Sequence, residues 1–253
     1  MINQIQLIRN ASLKITYNNS VFLIDPMFSK TCTFESFASI SKNPIVDLPC
    51  SIPSILNDIE AVFLTHKHID HFDDQAATVI DKSLPFFVQN VDFNFIKNKG
   101  FNNVIPFEVN FSWNQINFKT LKAFHGRDEL LKEMGSVTGL FFKSGNLPSI
   151  YIVGDSIYND HIKQNIEDLK PDYIIINSGG AEFPEKYDQN IIMNAAEVKQ
   201  LIQDLNFPTH IIAIHMDAID HCKTTRILLK NELKSIPESV KLIVPEDGEM
   251  IEI

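Results

Sequence analysis

The chain has 253 residues, of which 44% are hydrophobic and 21% charged, a composition typical of a globular protein with a sizeable core. A formal net charge of −10 and the lack of a basic run argue against nucleic-acid and membrane partners. The three cysteines are odd in number and show no C-x-x-C spacing, which argues against a disulfide framework and a zinc knuckle. No signal peptide or transmembrane run is evident, so we expect a cytoplasmic protein.

Three short strands are predicted at the start of the chain, over 5–8, 12–17 and 21–24. The second alternates apolar and polar residues, the period of a half-buried strand, and Asn18-Asn19 follows it as a turn signal. This pattern predicts an antiparallel meander that ends at Asp25-Pro26. The proline-containing segment 26–54 is predicted to be irregular, and a loop of this length is usually functional or disordered.

Strands and helices alternate through the rest of the chain. Strands are predicted over 61–64, 86–88, 104–107, 115–124, 137–143, 150–153, 173–176, 211–214, 240–244 and 249–252. Helices are predicted over 72–80, 91–99, 158–168, 194–205 and 222–235. No linker or repeat divides the chain, so we expect a single domain over 1–253. Its class is α/β (α+β), with two sheets covered by helices on their outer faces.

The run His66-Lys67-His68-Ile69-Asp70-His71 directly follows a predicted strand and Thr65. Positions i and i+2 of an extended loop face the same way, so His66 and His68 can bind one ion. Asp70 and His71 reach a second ion if the chain turns there. A polar surface loop rich in histidine is the alternative interpretation. The strand before the run and further candidate ligands downstream favour a metal site.

Other candidate ligands also stand at strand ends. Asp25, Asp155, Asn177 and His215 follow apolar strands closely, and His125 follows another. Each alone is more typical of a turn, a cap or a structural histidine. Because strand ends form the binding crevice of mixed α/β folds, their recurrence predicts a metal site at one sheet edge.

Four more side chains are candidates for contacts with the metal ligands or with the substrate. Asp25 either accepts the other N–H of a ligand histidine or serves as a turn residue. His161 either meets substrate or, as we favour, lies on a helix surface; His221 is either a partner of a ligand or a helix-start residue. Arg127 either binds an anionic group or is a surface charge.

The H-x-H-x-D-H run followed by His125, Asp155 and His215 resembles the metallo-β-lactamase fold superfamily, from the first strands to residue 215. That resemblance implies a four-layer αβ/βα sandwich of two mixed sheets, with two metal ions at one sheet edge. The segments LIDP (23–26), VGDS (153–156) and IHMDA (214–218) are similar to a compact branch of metal-dependent hydrolases resembling ascorbate-6-phosphate lactonase.

The resemblance also implies a ligand set. His66, His68 and His125 would bind the first ion, Asp70, His71 and His215 the second, and Asp155 would bridge them. Imidazole and carboxylate ligands suit zinc, our first expectation, and also manganese or iron. Two ions would lower the pKa of a bridging water, and the resulting hydroxide would be the nucleophile. Asp70 could pass a proton to the leaving group.

The expected function is hydrolysis of a small-molecule ester, first of all a lactone or phosphorylated cyclic ester. A phosphodiesterase or nuclease on the same fold is the alternative, against which the acidic charge counts. A non-catalytic metal-binding or scaffold protein is a third hypothesis. Lost ligands would be its sign, yet all seven ligand positions are filled. Members of the superfamily are often oligomers, so a homo-oligomer is also an expectation.

Overall fold

Two seven-stranded β-sheets pack face to face in the computed structural model, which describes residues 2–183 and 189–253. Strands and helices are numbered along the chain. The first sheet contains, in spatial order, β14 (Met250–Glu252), β1 (Gln4–Arg9), β2 (Ser12–Tyr17), β3 (Ser20–Ile24), β4 (Ala61–Leu64), β5 (Phe86–Val88) and β6 (Val104–Pro106). The second contains β13 (Val240–Ile243), β12 (Thr209–Ile214), β11 (Tyr173–Asn177), β10 (Ile150–Ile152), β9 (Val137–Lys143), β8 (Ile116–Ala123) and β7 (Asn110–Trp113).

Each sheet mixes antiparallel and parallel pairs. The predicted meander is confirmed, because β1, β2 and β3 pair antiparallel, whereas β3 to β6 run parallel. In the second sheet β7, β8, β9 and β10 pair antiparallel and β10 to β13 run parallel. The carboxyl ends of β3 and β4 therefore share one edge of the first sheet. The carboxyl ends of β8, β10, β11 and β12 likewise share one edge of the second.

Helices cover the outer face of each sheet. The α-helices of the described chain are α1 (Ile52–Leu56), α2 (Asp74–Val79), α3 (Phe93–Asn98), α4 (Asp128–Met134), α5 (Asp160–Leu169), α6 (Ala195–Asp204) and α7 (Arg226–Glu232). Apolar residues of α1, α2 and α3 pack on the first sheet, and those of α5, α6 and α7 pack on the second. The predicted four-layer αβ/βα sandwich is therefore confirmed. Within the described part of the chain, no helix has the length and apolar character needed to cross a membrane.

The core between the sheets is built largely from aromatic rings. Phe63 of β4 stacks on Phe118 of β8 with centroids 4.9 Å apart, and Phe22 meets Phe142 edge-on at 5.8 Å. Successive strand residues face opposite ways, so every second residue serves this core and the others meet the helices. Both faces of the central strands are buried, which explains why these strands are continuously apolar.

Several predicted boundaries were wrong. The last helix begins at Arg226 after the cap Thr225, so the helix predicted over 222–235 is too long and His221 lies in a loop before it. Backbone pairing of Ala181 with Cys222 holds that loop away from helical geometry. The short elements α1, α4 and β7 were missed, because segments of four to seven residues carry little periodic signal.

Candidate metal centre

All seven predicted ligands meet where the carboxyl ends of strands from the two sheets face each other. Six of them are buried, and His68 is partly exposed. Their donor atoms form three groups, each within 4.8 Å: His66, His68 and His125; His66, His71 and Asp155; and Asp70, His71 and His215. The first and third groups match the two ligand sets that the resemblance implied.

Asp155 lies between these two sets. Its Oδ2 is 3.4 Å from Nε2 of His125 and 3.2 Å from Nε2 of His71, and its Oδ1 is 3.7 Å from Nε2 of His215. One carboxylate therefore reaches both sets, as a bridging ligand must.

The backbone after β10 and β12 turns sharply to aim these ligands inward. Gly154 has φ of 75°, a left-handed conformation that glycine adopts at little cost, and it directs Asp155 into the cluster. His215 is itself left-handed, with φ of 65°, which is uncommon for a residue with a side chain. Asn177, at the end of β11, donates from Nδ2 to Oδ1 of Asp155 at 2.6 Å.

Asp25 orients two of the ligand histidines, as one of its two predicted roles required. Nδ1 of His71 donates to Oδ2 of Asp25 at 2.9 Å, so Nε2 faces the cluster and is the nitrogen that an ion would bind in place of a proton. The hydroxyl of Thr65 also donates to that Oδ2, at 2.7 Å, and therefore accepts from Nδ1 of His66 at 3.1 Å. Both rings are therefore held with Nε2 toward the cluster, the orientation that a metal ligand needs.

The remaining outward contacts act in the same way. Nδ1 of His125 donates to the carbonyl oxygen of Ile191 at 3.0 Å, which leaves its Nε2 for the cluster. Nδ1 of His215 lies 3.5 Å from Sγ of Cys222, while its Nε2 faces Oδ2 of Asp70 at 3.3 Å.

Replacing Asp25 with asparagine is expected to weaken metal binding by about 10–100-fold, because a partner that orients and polarises a ligand histidine is lost. Asparagine keeps the side-chain shape and tolerates the left-handed backbone at this position, where φ is 47°. Competition with a calibrated chelator measures the affinity. Wild-type affinity in the variant would show that Asp25 is only a turn residue.

The protonation states fit a site for cations. Burial lowers the pKa of His66 well below its usual value and that of His125 to about 4, so both imidazoles are neutral ligands at pH 7. Burial also lowers the pKa of His71, but the carboxylates of Asp155, Asp25 and Asp70 outweigh burial and raise this pKa to about 10. The pKa of His215 is likewise raised, chiefly by Asp155 acting against burial. Without metal, these positive rings neutralise the buried carboxylates; divalent ions would replace their protons.

Metal binding is therefore expected to release protons at pH 7. His71 and His215 are protonated in the metal-free cluster and must lose a proton to bind an ion, whereas His66 and His125 are already neutral. Calorimetric titration with Zn²⁺ in buffers of different ionisation enthalpy measures the release. A heat of binding that is independent of the buffer would contradict these assignments.

Two of the further candidates lie outside the cluster. The guanidinium of Arg127 forms an ion pair with Glu197 and a 3.3 Å hydrogen bond to Asn190, so this residue is occupied by structural contacts. His161 is exposed on α5 and stacks on Phe124 at 4.9 Å, in agreement with the surface interpretation that we favoured.

A cavity of about 210 Å³ opens directly onto the cluster. Four of the candidate ligands border it: His68, Asp70, His125 and Asp155. The other lining residues are Phe37, Ile69, Met134, Phe183, Ile191 and His221. No lysine or arginine is among these described lining residues, so the cavity is mostly apolar around a polar floor.

The loop 26–54 supplies Phe37 to that cavity. The carboxylate of Asp220 anchors the loop by accepting from the backbone N–H groups of Phe37 and Ala38, at 3.0 and 3.2 Å, and from Nδ2 of Asn43 at 2.8 Å. The polar segment after His125 contributes Met134 from α4. The loop 26–54 and the segment after His125 therefore both build walls of the site.

Sequence reasoning missed three residues that touch the ligands. Nδ2 of Asn10 lies 3.2 Å from Nε2 of His215 and donates to the carbonyl of Asp70 at 3.1 Å. Thr65 and Cys222 contact ligand rings as described above. Asn10 sits in a hairpin turn, where asparagine is common for conformational reasons, so its sequence position carried no sign of this role.

A sandwich of two mixed sheets with a buried His/Asp cluster at the strand ends defines a protein of the metallo-β-lactamase fold. A family model described as the β-lactamase superfamily domain matches residues 21–216, so the chain belongs to this superfamily. Within it, the chain belongs with a group of metal-dependent hydrolases. It is 37% identical to the UPF0173 protein YddR of Bacillus subtilis (strain 168), over 96% of both chains.

Solved structures agree over the whole chain. A structure described as a possible metal-dependent hydrolase from Veillonella parvula DSM 2008 is 33% identical, with a TM-score of 0.94 and complete coverage of both chains. The isothiocyanate hydrolase from Delia radicum gut bacteria is 28% identical, with a TM-score of 0.89, covering 99% of this chain and 98% of that one.

Proposed function

We propose that this protein is a dinuclear metal-dependent hydrolase that acts on a small, uncharged substrate with an electrophilic carbon. The observation that carries the proposal is the position of Asp155, whose two oxygens reach both ligand sets beside a cavity. The first ion would be held by His66, His68 and His125, the second by Asp70, His71 and His215, with Asp155 shared.

Two divalent ions, zinc first and manganese or iron as alternatives, would supply a hydroxide nucleophile at neutral pH by lowering the pKa of bound water. The protein's own groups do the rest. Asp25 and Thr65 hold the ligand rings in place, and the apolar walls keep bulk water from the reacting carbon. Asp70 borders the cavity, so its carboxylate can carry a proton between the attacking water and the product.

An uncharged lactone is our first substrate class. A phosphorylated cyclic ester would need a cationic partner, and the described lining of the cavity provides none. Lys67 lines a neighbouring groove of about 280 Å³, where its Nζ lies 3.8 Å from Oδ1 of Asp92. The cavity is also smaller than the roughly 300–1,000 Å³ of sites for drug-sized ligands, which favours a small substrate.

An isothiocyanate is the second candidate substrate. The solved isothiocyanate hydrolase shares 28% identity with this protein over nearly its whole length. Addition of hydroxide to the central carbon of R–N=C=S resembles its addition to an ester carbonyl, and the aromatic walls Phe37 and Phe183 suit an apolar R group.

A substrate panel tests the proposal. Protein loaded with Zn²⁺ or Mn²⁺ is assayed with γ-butyrolactone and longer lactones, benzyl isothiocyanate and bis(p-nitrophenyl) phosphate, with an Asp155→Ala variant as the inactive control. We expect turnover of a lactone or the isothiocyanate and little of the phosphodiester. Turnover of the phosphodiester alone would favour the nuclease alternative. Inertness of fully loaded protein toward every compound would favour the non-catalytic alternative.

A further inference from the structure

We propose that His221 is a catalytic residue, which donates a ring N–H to the substrate atom that receives the electron pair in the hydrolysis proposed above. This inference rests on the proposed function and assigns to its site a polar group besides the metal ligands. The juxtaposition that carries it is a buried, incompletely paired imidazole in the wall of the cavity that borders Asp70, His125 and Asp155.

The ring of His221 is almost completely buried, with the residue only 4% exposed. Its Nδ1 has no hydrogen-bond partner of regular geometry among the described residues. Burial lowers the pKa of the ring, but the neighbouring Cys222 thiol outweighs this and raises it. Buried polar atoms are nearly always paired, because an unpaired one loses its hydration without compensation. Nδ1 of His125 shows the usual arrangement, since it donates to a carbonyl oxygen. Because Nδ1 has almost no accessible surface, the other ring nitrogen, Nε2, is the one that we place against a substrate in the cavity that His221 lines.

Aromatic packing and backbone contacts hold this ring in place. Phe37 meets it edge-on with centroids 5.1 Å apart, and Phe183 packs on it at 5.4 Å. Its carbonyl oxygen accepts from the backbone N–H of Glu182 at 3.0 Å, and the preceding residue, Asp220, is tied to the loop that carries Phe37. The ring is therefore preorganised at the cavity wall, as a hydrogen-bond donor for a developing charge must be.

The proposed step is balanced for either substrate class. Hydroxide forms a bond to the electrophilic carbon. With a lactone, the π pair of C=O first moves to the carbonyl oxygen; it then reforms the double bond as the bond from that carbon to the ring oxygen breaks and its electron pair goes to the ring oxygen. With an isothiocyanate, the π pair of C=N goes to nitrogen. The N–H of His221 stabilises the negative charge on that atom, which finally takes the proton that Asp70 carries from the attacking water.

The test compares His221→Phe, which keeps an aromatic ring between Phe37 and Phe183, with the matched control His161→Phe. His161 also stacks on a phenylalanine but lies outside the cavity. We expect His221→Phe to lower kcat by about 100–1,000-fold, as for loss of one donor to a developing charge. Its metal content should stay at the wild-type value, and His161→Phe should behave as wild type. The amide nitrogen approximates Nδ1 in His221→Asn and Nε2 in His221→Gln. At least one of these two variants should have a kcat about tenfold higher than that of His221→Phe.

Two readouts separate this role from mere packing. In a series of esters, the reduction of kcat in His221→Phe relative to wild type should grow as the leaving alcohol becomes more basic. An equal reduction of kcat across the series would overturn the proposal. Acetohydroxamate, a probe that binds metals, should bind His221→Phe about tenfold more weakly than wild type. If the wild-type protein hydrolyses none of the substrates, the proposed function fails. The ratio of the acetohydroxamate affinities of wild type and His221→Phe still shows whether His221 contacts a molecule bound in the cavity. Equal affinities would overturn it.

Discussion

Replacing Asp155 with alanine is expected to remove metal from one or both sites and to lower kcat/KM by at least about 1,000-fold, which corresponds to about 4 kcal/mol of transition-state stabilisation. The reason is geometric. Oδ2 of Asp155 faces Nε2 of His125 in one ligand set and Nε2 of His71 in the other, and its Oδ1 faces Nε2 of His215, so this one carboxylate contacts both sets. Elemental analysis and activity on the best substrate measure both effects.

Asp73→Ala is the matched control for this variant. Asp73 is another buried carboxylate near the histidine run, but it caps α2 by accepting from the N–H of Ala76 at 2.7 Å and also binds the N–H of Ser29. Its loss should cost about 1 kcal/mol of stability while metal content and activity are retained. Unchanged metal occupancy in Asp155→Ala would refute the bridging role.

The second large effect expected is a separate loss of each ion. His125→Ala removes a ligand from the set with His66 and His68, whereas His215→Ala removes one from the set with Asp70 and His71. Each variant should retain about one ion per chain and lose at least about 100-fold in kcat, because both ions are needed to activate and place the nucleophile.

Dialysis against metal-free buffer followed by elemental analysis measures these occupancies. Thermal unfolding shows that each variant is folded. Loss of both ions in both variants would indicate one cooperative cluster, and retention of two ions in either would remove that histidine from the ligand set.

The sheets and a cluster of candidate ligands at strand ends were accessible from the sequence because their signals are local, whereas the full set of seven came from the resemblance to the superfamily. Apolar runs predict buried strands, and the polar residue just past each run, such as His66, Asp155 or His215, was expected to meet the others at the sheet edge. The structure places them together. Asp25 was open between two roles; the contact of its carboxylate with Nδ1 of His71 supports the role of partner to a ligand histidine, which the Asp25→Asn variant tests.

The rest of the site depends on contacts between distant segments. Asp220 organises the loop around Phe37, nearly two hundred residues earlier in the chain, and no periodicity signals such a contact. Backbone pairing of Ala181 with Cys222 holds the segment before α7 in a loop, although the sequence pattern of this segment favoured a helix. Arg127 could not be excluded from the cleft until its partner Glu197 was located.

Elemental analysis of the protein purified without added metal tests the central claim most directly. The arrangement of His66, His68, His125, Asp155, Asp70, His71 and His215 predicts two transition-metal ions per chain, of zinc, manganese or iron. Fewer than one ion per chain, with no increase after incubation with zinc or manganese, would contradict a dinuclear centre.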